Sequence, residues 1–88
     1  MKVEFLDKFS KDLDRIDDVK IKKKLIGIIE EIENSEKLSD LKKVRKITGF
    51  KNAYRIKLPD YRIGFFFENG IIELARIMHR KEIYKFFP

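Results

Sequence analysis

The sequence predicts an α+β domain in which helices pack on one face of an antiparallel sheet. Three observations predict this class: a helical pattern fills residues 7–34, alternating strands fill residues 52–78, and Asn69-Gly70 separates the last two strands. With 88 residues, the chain predicts a single domain over residues 1–88 with one modest core. The chain is 41% charged, but its apolar residues are patterned, which argues against disorder.

The N-terminal half predicts a short strand followed by a helical hairpin. Val3 and Phe5 alternate with polar neighbours, as in a strand. From residue 7 to residue 16 the apolar residues recur at helical spacing, and Asp17-Asp18 ends that helix and offers an N-cap for the next one. Asn34-Ser35 ends the second helix, and the short connection predicts a helix pair. The apolar stripe of the second helix comprises Ile21, Leu25, Ile28, Ile29 and Ile32.

The C-terminal half predicts a three-stranded antiparallel meander. Residues 36–51 are polar and basic, and they predict a linker with a partial helical turn or a short strand. Pro59-Asp60 connects the first two strands, and Asn69-Gly70 predicts a type I′ hairpin before the third. Residues 80–87 predict a short C-terminal helix or an ordered tail. The strands are predicted at residues 52–58, 61–67 and 71–78.

Composition excludes several classes of site. The absence of cysteine excludes disulfides and thiolate zinc sites, and one histidine cannot build a histidine-rich site, so no metal or cofactor is expected. The chain has no signal-peptide pattern and no apolar run long enough to cross a membrane, so a soluble cytoplasmic protein is expected.

The positive charge is concentrated in the second half of the chain. Residues 1–40 carry 9 basic and 11 acidic side chains, whereas residues 41–88 carry 12 basic and 4 acidic ones. A concentrated positive field predicts an anionic partner such as nucleic acid or an acidic peptide. The alternative is a basic surface that only keeps the protein soluble.

The first hairpin is predicted to bring two cations face to face. If Leu58 pairs with Tyr61, then Lys57 lies directly opposite Arg62, on the side of the sheet away from the core. Like charges in directly opposite positions destabilise a sheet. An anion bridging Lys57 and Arg62 would reverse the sign of that interaction, so the pair predicts a phosphate site.

The same register places Arg55 opposite Gly64. Because Gly64 has no side chain, it is predicted to leave room beside Arg55 on that face. Phe66, also on that face, offers an aromatic surface on which an RNA base could stack. The alternative is a generic basic sheet face without a specific ligand.

A regular ladder across the Asn69-Gly70 turn gives the register of the last strand. It places Arg62 opposite Ile77 and turns Arg76 toward the core. The last strand then delivers His79 and Arg80 to the sheet end that holds the turn at residues 59–60. The residues predicted to converge at that end are Arg55, Lys57, Arg62, His79, Arg80 and Tyr84.

This set of side chains suits the cleavage of RNA by its own 2′-OH. Attack on the adjacent phosphate requires stabilisation of a pentacoordinate phosphorane and two proton transfers. Arginines such as Arg62 and Arg80 hold phosphate bidentately. Histidine titrates near neutral pH, so His79 is the best-suited candidate acid or base. The reaction is expected to need no metal ion, because no carboxylate cluster is available to bind one.

The ordered pattern resembles the RelE/ParE superfamily of bacterial and archaeal toxins of type II toxin–antitoxin systems. The matching segments are Tyr54-Arg55-Ile56-Lys57, then Tyr61-Arg62-Ile63, then His79-Arg80-x-x-Ile83-Tyr84. The resemblance covers essentially the whole chain and favours the RelE-like mRNA interferase branch. No single segment is specific for the superfamily, but the three segments in this order are more specific than any one of them.

The resemblance implies an endoribonuclease that cleaves mRNA in the ribosomal A site. It also implies a cognate antitoxin that silences a monomeric toxin within a hetero-oligomeric complex, and the positive charge of residues 41–88 favours an acidic one. Arg55 stands where RelE has a lysine, which suggests that His79 carries proton transfer. The candidate catalytic residues are Lys57, Arg62, His79, Arg80 and Tyr84, and the candidate RNA-binding residues are Arg55, Phe66, Lys81 and, as a supporting residue, Arg76.

Two alternatives to the ribonuclease remain open from the sequence. ParE-type members of the same superfamily poison DNA gyrase and need no ribonuclease site. A non-catalytic RNA-binding module would bind phosphates with a steep salt dependence but would not cut the strand.

Overall fold

All 88 residues, Met1–Pro88, are described by a computed structural model. The predicted α+β class is confirmed: a short strand and two helices precede an antiparallel meander and a short C-terminal helix. The strands are β1 (Lys2–Phe5), β2 (Val44–Lys46), β3 (Ala53–Lys57), β4 (Tyr61–Glu68) and β5 (Ile71–His79). The helices are α1 (Asp7–Asp14), α2 (Val19–Asn34) and α3 (Ile83–Phe86), with a 3₁₀ turn at Leu38–Asp40.

The strands form one five-stranded sheet in the order β1-β5-β4-β3-β2. The predicted meander makes up its centre, and the sheet is extended at both edges. β1 pairs in parallel with β5, and β2 pairs antiparallel with β3. β2 and the 3₁₀ turn both lie in residues 36–51, where the sequence predicted a linker with a partial helical turn or a short strand.

α2 begins where the sequence predicted it. The Asp18 side chain accepts hydrogen bonds from the backbone N–H groups of Lys20 and Ile21, which confirms the predicted N-cap. The buried residues of α2 are Ile21, Leu25 and Ile32. Their helical spacing puts them on one side of the helix, and this side packs on the sheet. No helix of this protein is both long and apolar enough to span a bilayer.

Each face of the sheet is covered by a different part of the chain. α1 and α2 cover one side, here called the helix face, with a cluster of 13 buried apolar residues that includes Phe9 and Phe65. The C-terminal residues cover the other side, here called the tail face, with a smaller cluster. Burial of one large apolar side chain contributes roughly 1.5–3 kcal/mol, so the helix face supplies most of the stability. The cluster on the tail face comprises Ala53, Ala75, Ile83 and Phe87.

The two tight turns differ in type. Asn69 and Gly70 both have positive φ, of 53° and 76°, which confirms the predicted type I′ hairpin. In the turn at Pro59-Asp60 only Asp60 has positive φ, at 60°. Proline at the first central position with positive φ at the second is the pattern of a type II turn.

The predicted register is confirmed in the first hairpin, where Lys57 pairs with Arg62 and Arg55 with Gly64. In the second hairpin it holds only near the turn. A β-bulge follows, because Phe65 pairs with Leu74 while its neighbour Gly64 pairs with Arg76, so Ala75 is an extra residue.

The bulge overturns two predictions. Arg62 lies opposite Met78 rather than Ile77, and Arg76 lies on the tail face beside Gly64 rather than toward the core. The physical reason is the cost of burying a guanidinium among the apolar side chains of the helix face. The extra residue shifts the alternation of β5 by one position and avoids that cost.

Candidate functional site

The centre of the candidate site is a pair of cations on the tail face. Lys57 at the end of β3 lies directly opposite Arg62 at the start of β4. Arg62 Nη1 donates to the backbone oxygens of Leu58, at 2.8 Å, and Tyr61, at 2.7 Å. These carbonyl groups orient the guanidinium without cancelling its charge, and its other N–H groups stay free to bind an anion.

Neither cation of the pair is neutralised. The ion pairs of the structure are Lys2–Glu4 and Arg76–Asp12, so no carboxylate lies within salt-bridge distance of Lys57 or Arg62. Directly opposed like charges are unfavourable in a sheet. A bound anion would stabilise this arrangement.

A second pair of like charges lies next to the first. Arg45 in β2 is directly opposite Arg55 in β3. The sequence did not single out Arg45 because β2 has only three residues, too few for a period-two pattern; the only signal was the basic run at residues 42–46. Together these strands border an open groove of about 500 Å³ without an acidic residue. Its lining residues are Lys42, Lys43, Arg45, Arg55, Lys57, Leu58 and Pro59.

The end of β5 reaches the predicted end of the sheet. The backbone N–H of Arg80 donates to the backbone oxygen of Asp60 at 2.8 Å, so Arg80 is held at the β3–β4 turn. Arg80 and Lys81 are exposed, and Tyr84 in α3 is 58% exposed. These three side chains are free to contact a ligand.

His79 lies at the same end but on the other side of the sheet. It pairs with Tyr61, so it shares the helix face rather than the tail face of Arg62. The His79 and Tyr61 rings meet edge to face with centroids 6.0 Å apart. His79 Nδ1 accepts a hydrogen bond from the Lys81 backbone N–H at 3.2 Å, which leaves the ring proton of a neutral imidazole on Nε2.

The space predicted beside Arg55 is not open to a ligand. A Cβ added to Gly64 would lie 2.4 Å from the Phe87 ring, so Phe87 fills that space. Phe66 packs against Phe87 with ring centroids 5.0 Å apart at an angle of 51°. The aromatic surface predicted to stack on a base is thus partly covered by the chain's own C-terminal segment.

Arg76 is paired with a carboxylate. Its Nε and Nη2 donate to the two Asp12 oxygens at 2.7 and 2.9 Å, and the Ile77 backbone N–H donates to the same carboxylate at 3.1 Å. The hydrogen bonds to Asp12 raise the pKa of Arg76 above its ordinary value. Since Asp12 compensates its charge, Arg76 offers no free cation to RNA. No group of three or more His, Asp or Glu side chains could hold a metal ion.

Comparison with known proteins agrees with this fold. Residues 3–84 match the family model of the ParE toxin of type II toxin–antitoxin systems, parDE. The chain therefore belongs to the RelE/ParE superfamily of toxins. Within it the chain is RelE-like: it is 45% identical over 89 residues to Toxin RelE3 of Methanocaldococcus jannaschii, and the match covers the full length of both chains.

Solved structures show the same architecture. The RelB–RelE antitoxin–toxin complex from Methanococcus jannaschii contains a chain that matches with a TM-score of 0.82 and 39% identity, over 97% of this chain and 99% of that one. The intact E. coli RelBE complex matches with a TM-score of 0.70 and 16% identity, over 89% of this chain and 94% of that one. The second likeness concerns the fold alone.

Proposed function

We propose that this RelE-like toxin is an endoribonuclease that cleaves mRNA on the ribosome. The observation that carries the proposal is the opposed pair Lys57–Arg62, which has no carboxylate partner. The adjoining groove extends the same unpaired positive charge along β2 and β3. A phosphodiester is the anion that this arrangement suits, because guanidinium binds phosphate in a bidentate manner.

The reaction proposed is transfer of the phosphoryl group to the neighbouring 2′ oxygen. The 2′ oxygen loses its proton and attacks phosphorus, the bond from phosphorus to the 5′ oxygen breaks, and the 5′ oxygen takes up a proton. The products are a 2′,3′-cyclic phosphate and a free 5′-OH. Lys57, Arg62 and Arg80 would stabilise the additional negative charge of the phosphorane.

We assign proton transfer to Lys57 and Tyr84 ahead of His79. Lys57 shares the tail face with Arg62, whereas His79 lies on the helix face. In a neutral His79 ring, Nδ1 accepts from the Lys81 backbone N–H and the proton lies on Nε2, so neither nitrogen offers a free lone pair for a base in this arrangement. His79→Gln should therefore change the rate by less than about threefold, whereas a general acid or base contributes about 10²-fold or more.

The pH dependence of cleavage distinguishes these assignments. If His79 transfers the proton, His79→Gln will remove an inflection from the pH–rate profile of the parent. The proposed assignment predicts that the parent and His79→Gln give the same profile. Loss of an inflection in His79→Gln would overturn the assignment but not the reaction.

The direct test is cleavage of mRNA on translating ribosomes by the purified protein. The cut ends should carry a 2′,3′-cyclic phosphate and a 5′-OH. Arg62→Ala should reduce the rate by about 10²-fold or more, since it removes a donor that faces the developing charge. Lys23→Ala is the matched control, because it removes an exposed cation from α2 without touching the site.

The same preparation should be tested for inhibition of DNA gyrase supercoiling. Inhibition of gyrase without mRNA cleavage would replace the ribonuclease by a ParE-like activity. Full activity of Arg62→Ala would equally contradict the proposal. Binding of RNA without scission would leave only an RNA-binding module.

We further propose that an acidic antitoxin binds this chain. The chain of TM-score 0.82 comes from a RelB–RelE antitoxin–toxin complex. Residues 41–88 carry 12 basic and 4 acidic side chains, which favours association with an acidic partner. Co-expression with the product of the adjacent reading frame should yield a complex that does not cleave mRNA. Separate purification of the two products would contradict this partner.

A further inference from the structure

The Phe87 ring lies in a notch in the tail face that only glycine leaves open. Phe87 is 4% exposed, and a Cβ on Gly64 would lie 2.4–2.8 Å from three of its ring carbons. Real Cβ contacts are not this short, so any side chain at position 64 would displace the ring. The buried Ile83 belongs to the same cluster as Phe87, and the partly buried Phe66 packs against that cluster. We call the contact between Phe87 and Gly64 the tail lock.

The tail lock lies beside the proposed catalytic cations. Gly64 pairs with Arg55 on one side and with Arg76 on the other, so the ring sits between two arginine positions of one cross-strand row. In the next row Met78 lies opposite Arg62 and packs against the cluster of the lock. The C-terminal segment therefore crosses the sheet next to the row that holds Lys57 and Arg62.

The segment that carries Tyr84 is held at both ends. At one end the Arg80 backbone N–H bonds to Asp60. At the other end Phe87 is buried over Gly64, and its backbone N–H donates to the Ile83 oxygen at 2.8 Å. A four-residue helix such as α3 is too short to be stable alone, because helix nucleation is unfavourable. The conformation of α3 thus depends on these two attachments.

We propose that Phe87 and Gly64 are positioning residues that fix α3, and with it Tyr84, on the tail face that carries the cation pair. This inference rests on the proposed ribonuclease function, and it adds a determinant that contacts neither the phosphate nor the cations. The lock acts through α3: Ile83 is buried against the sheet, and Tyr84, the next residue, is exposed. Arg80 is held by Asp60, so it stays in place when the lock opens.

The first test compares Phe87→Ala with the parent in the ribosome cleavage assay. The kcat should fall by about tenfold to a hundredfold, the loss expected when a reacting group is misplaced by about 1 Å. Phe50→Ala is the matched control, because Phe50 is an exposed phenylalanine in the β2–β3 loop. In a Tyr84→Ala background the change Phe87→Ala should cost no further activity, since the lock acts through Tyr84. Additive losses, or a folded Phe87→Ala protein with the kcat of the parent, would overturn the inference.

A size exchange controls for simple loss of stability. Gly64→Ala alone should displace the ring and lower kcat, whereas Gly64→Ala combined with Phe87→Leu should restore most of it, because leucine leaves room for the new methyl group. A double variant no more active than Gly64→Ala alone would contradict the lock.

Amide hydrogen exchange tests the lock independently of catalysis. The Lys85 backbone N–H, which donates to the backbone oxygen of Glu82 just before α3, should exchange at least tenfold faster in Phe87→Ala, while the exchange rate of the Ile63 amide in the core of β4 should not change. Unchanged protection of Lys85 would refute the lock even if the parent cleaves mRNA. If Lys85 exchanges faster in Phe87→Ala but the parent does not cleave mRNA, the tail lock is confirmed as a structural contact. In that case the proposed ribonuclease function is wrong, and the lock has no role in catalysis.

Discussion

Arg76 ties three elements together with one side chain. Its guanidinium forms a bidentate ion pair with Asp12 of α1. The centroid of the Phe86 ring in α3 lies 5.6 Å from the guanidinium carbon. Asp12 also accepts the Ile77 backbone N–H, which lies beyond the end of β1 and has no strand partner on that side. The carboxylate therefore serves as the partner that the sheet edge lacks.

Removal of Asp12 is expected to be costly. Asp12→Ala should lower the free energy of unfolding by about 3 kcal/mol, because it leaves the half-buried Arg76 charge and the Ile77 N–H without partners. Chemical denaturation measures this, with the exposed Asp14→Ala on the same helix as control. Adding Arg76→Met should recover part of the loss; a double variant with the sum of the two separate losses would show that the pair is not coupled.

Asp60 carries backbone strain in the turn beside Arg80. Its φ of 60° is unfavourable for β-branched residues, so Asp60→Val should cost about 1–2 kcal/mol of stability, whereas Asp60→Gly should stay within a few tenths of the parent. Thermal or urea unfolding distinguishes the two, and Asp17→Val at an exposed loop position is the control. Equal stability of Asp60→Val and Asp60→Gly would refute the strain.

At the scale of the element, β5 shows which features can be predicted from the sequence and which cannot. The hairpin turn, the register near it and both helices follow from short-range patterns, and each was predicted. The bulge at Ala75 was not, because a single extra residue has no pattern of its own. The sequence did contain a signal for the bulge. The apolar positions are even-numbered at Ile72 and Leu74 but odd-numbered at Ile77, and an unbroken alternation would have buried Arg76 in the core.

The basic groove and the packing of the C-terminal segment over the tail face were not predicted, for a different reason. β2 has three residues and α3 has four, so neither is long enough to show a period. Both elements are stabilised by contacts with residues of the sheet that are distant in sequence, and such contacts leave no local pattern. The cation pair was predictable because Lys57 and Arg62 lie across one tight turn, whereas the side of the sheet on which His79 lies depends on the bulge.

The N-cap of α2 is an element whose strength can be measured. Four lysines crowd the first turns of this helix, where positive charge opposes the helix dipole, and Asp18 is the acidic group that offsets them. Asp18→Ala should lower the free energy of unfolding by about 1 kcal/mol, and Asp17→Ala should change it by less than about 0.5 kcal/mol. Similar losses in the two variants, measured by urea denaturation, would show that the cap contributes nothing of its own.

At the scale of the whole molecule, the two halves of the chain place their charges on different surfaces. The lysines of α2 lie in its first turns, mostly exposed on the outside of the helix layer, and the acidic residues of the same helix lie in its last turns. The basic groove lies at the β2 edge and has no acidic residue. A phosphate backbone should therefore bind the groove rather than the lysine-rich helix.

Salt dependence tests this distribution. Affinity for a short single-stranded RNA should fall linearly with the logarithm of salt concentration, and Lys42→Ala with Lys43→Ala should reduce the slope by roughly 1.4, at about 0.7 per lost contact. Lys23→Ala with Lys24→Ala removes the same charge from α2 and should leave the slope unchanged. Equal effects of the two double variants would mean that only net charge matters.

The parallel pairing of β1 with β5 joins Lys2–Phe5 to residues near the other end of the chain. β5 is also the only strand that connects β1 with β4. During synthesis, β1 has no strand to pair with until β5 has left the ribosome, and the helix-face core lacks Ile72, Leu74 and Ile77 until then. A transcript truncated before β5 should therefore yield a chain that cannot complete its core rather than a partial toxin, and folding should finish only once synthesis is nearly complete.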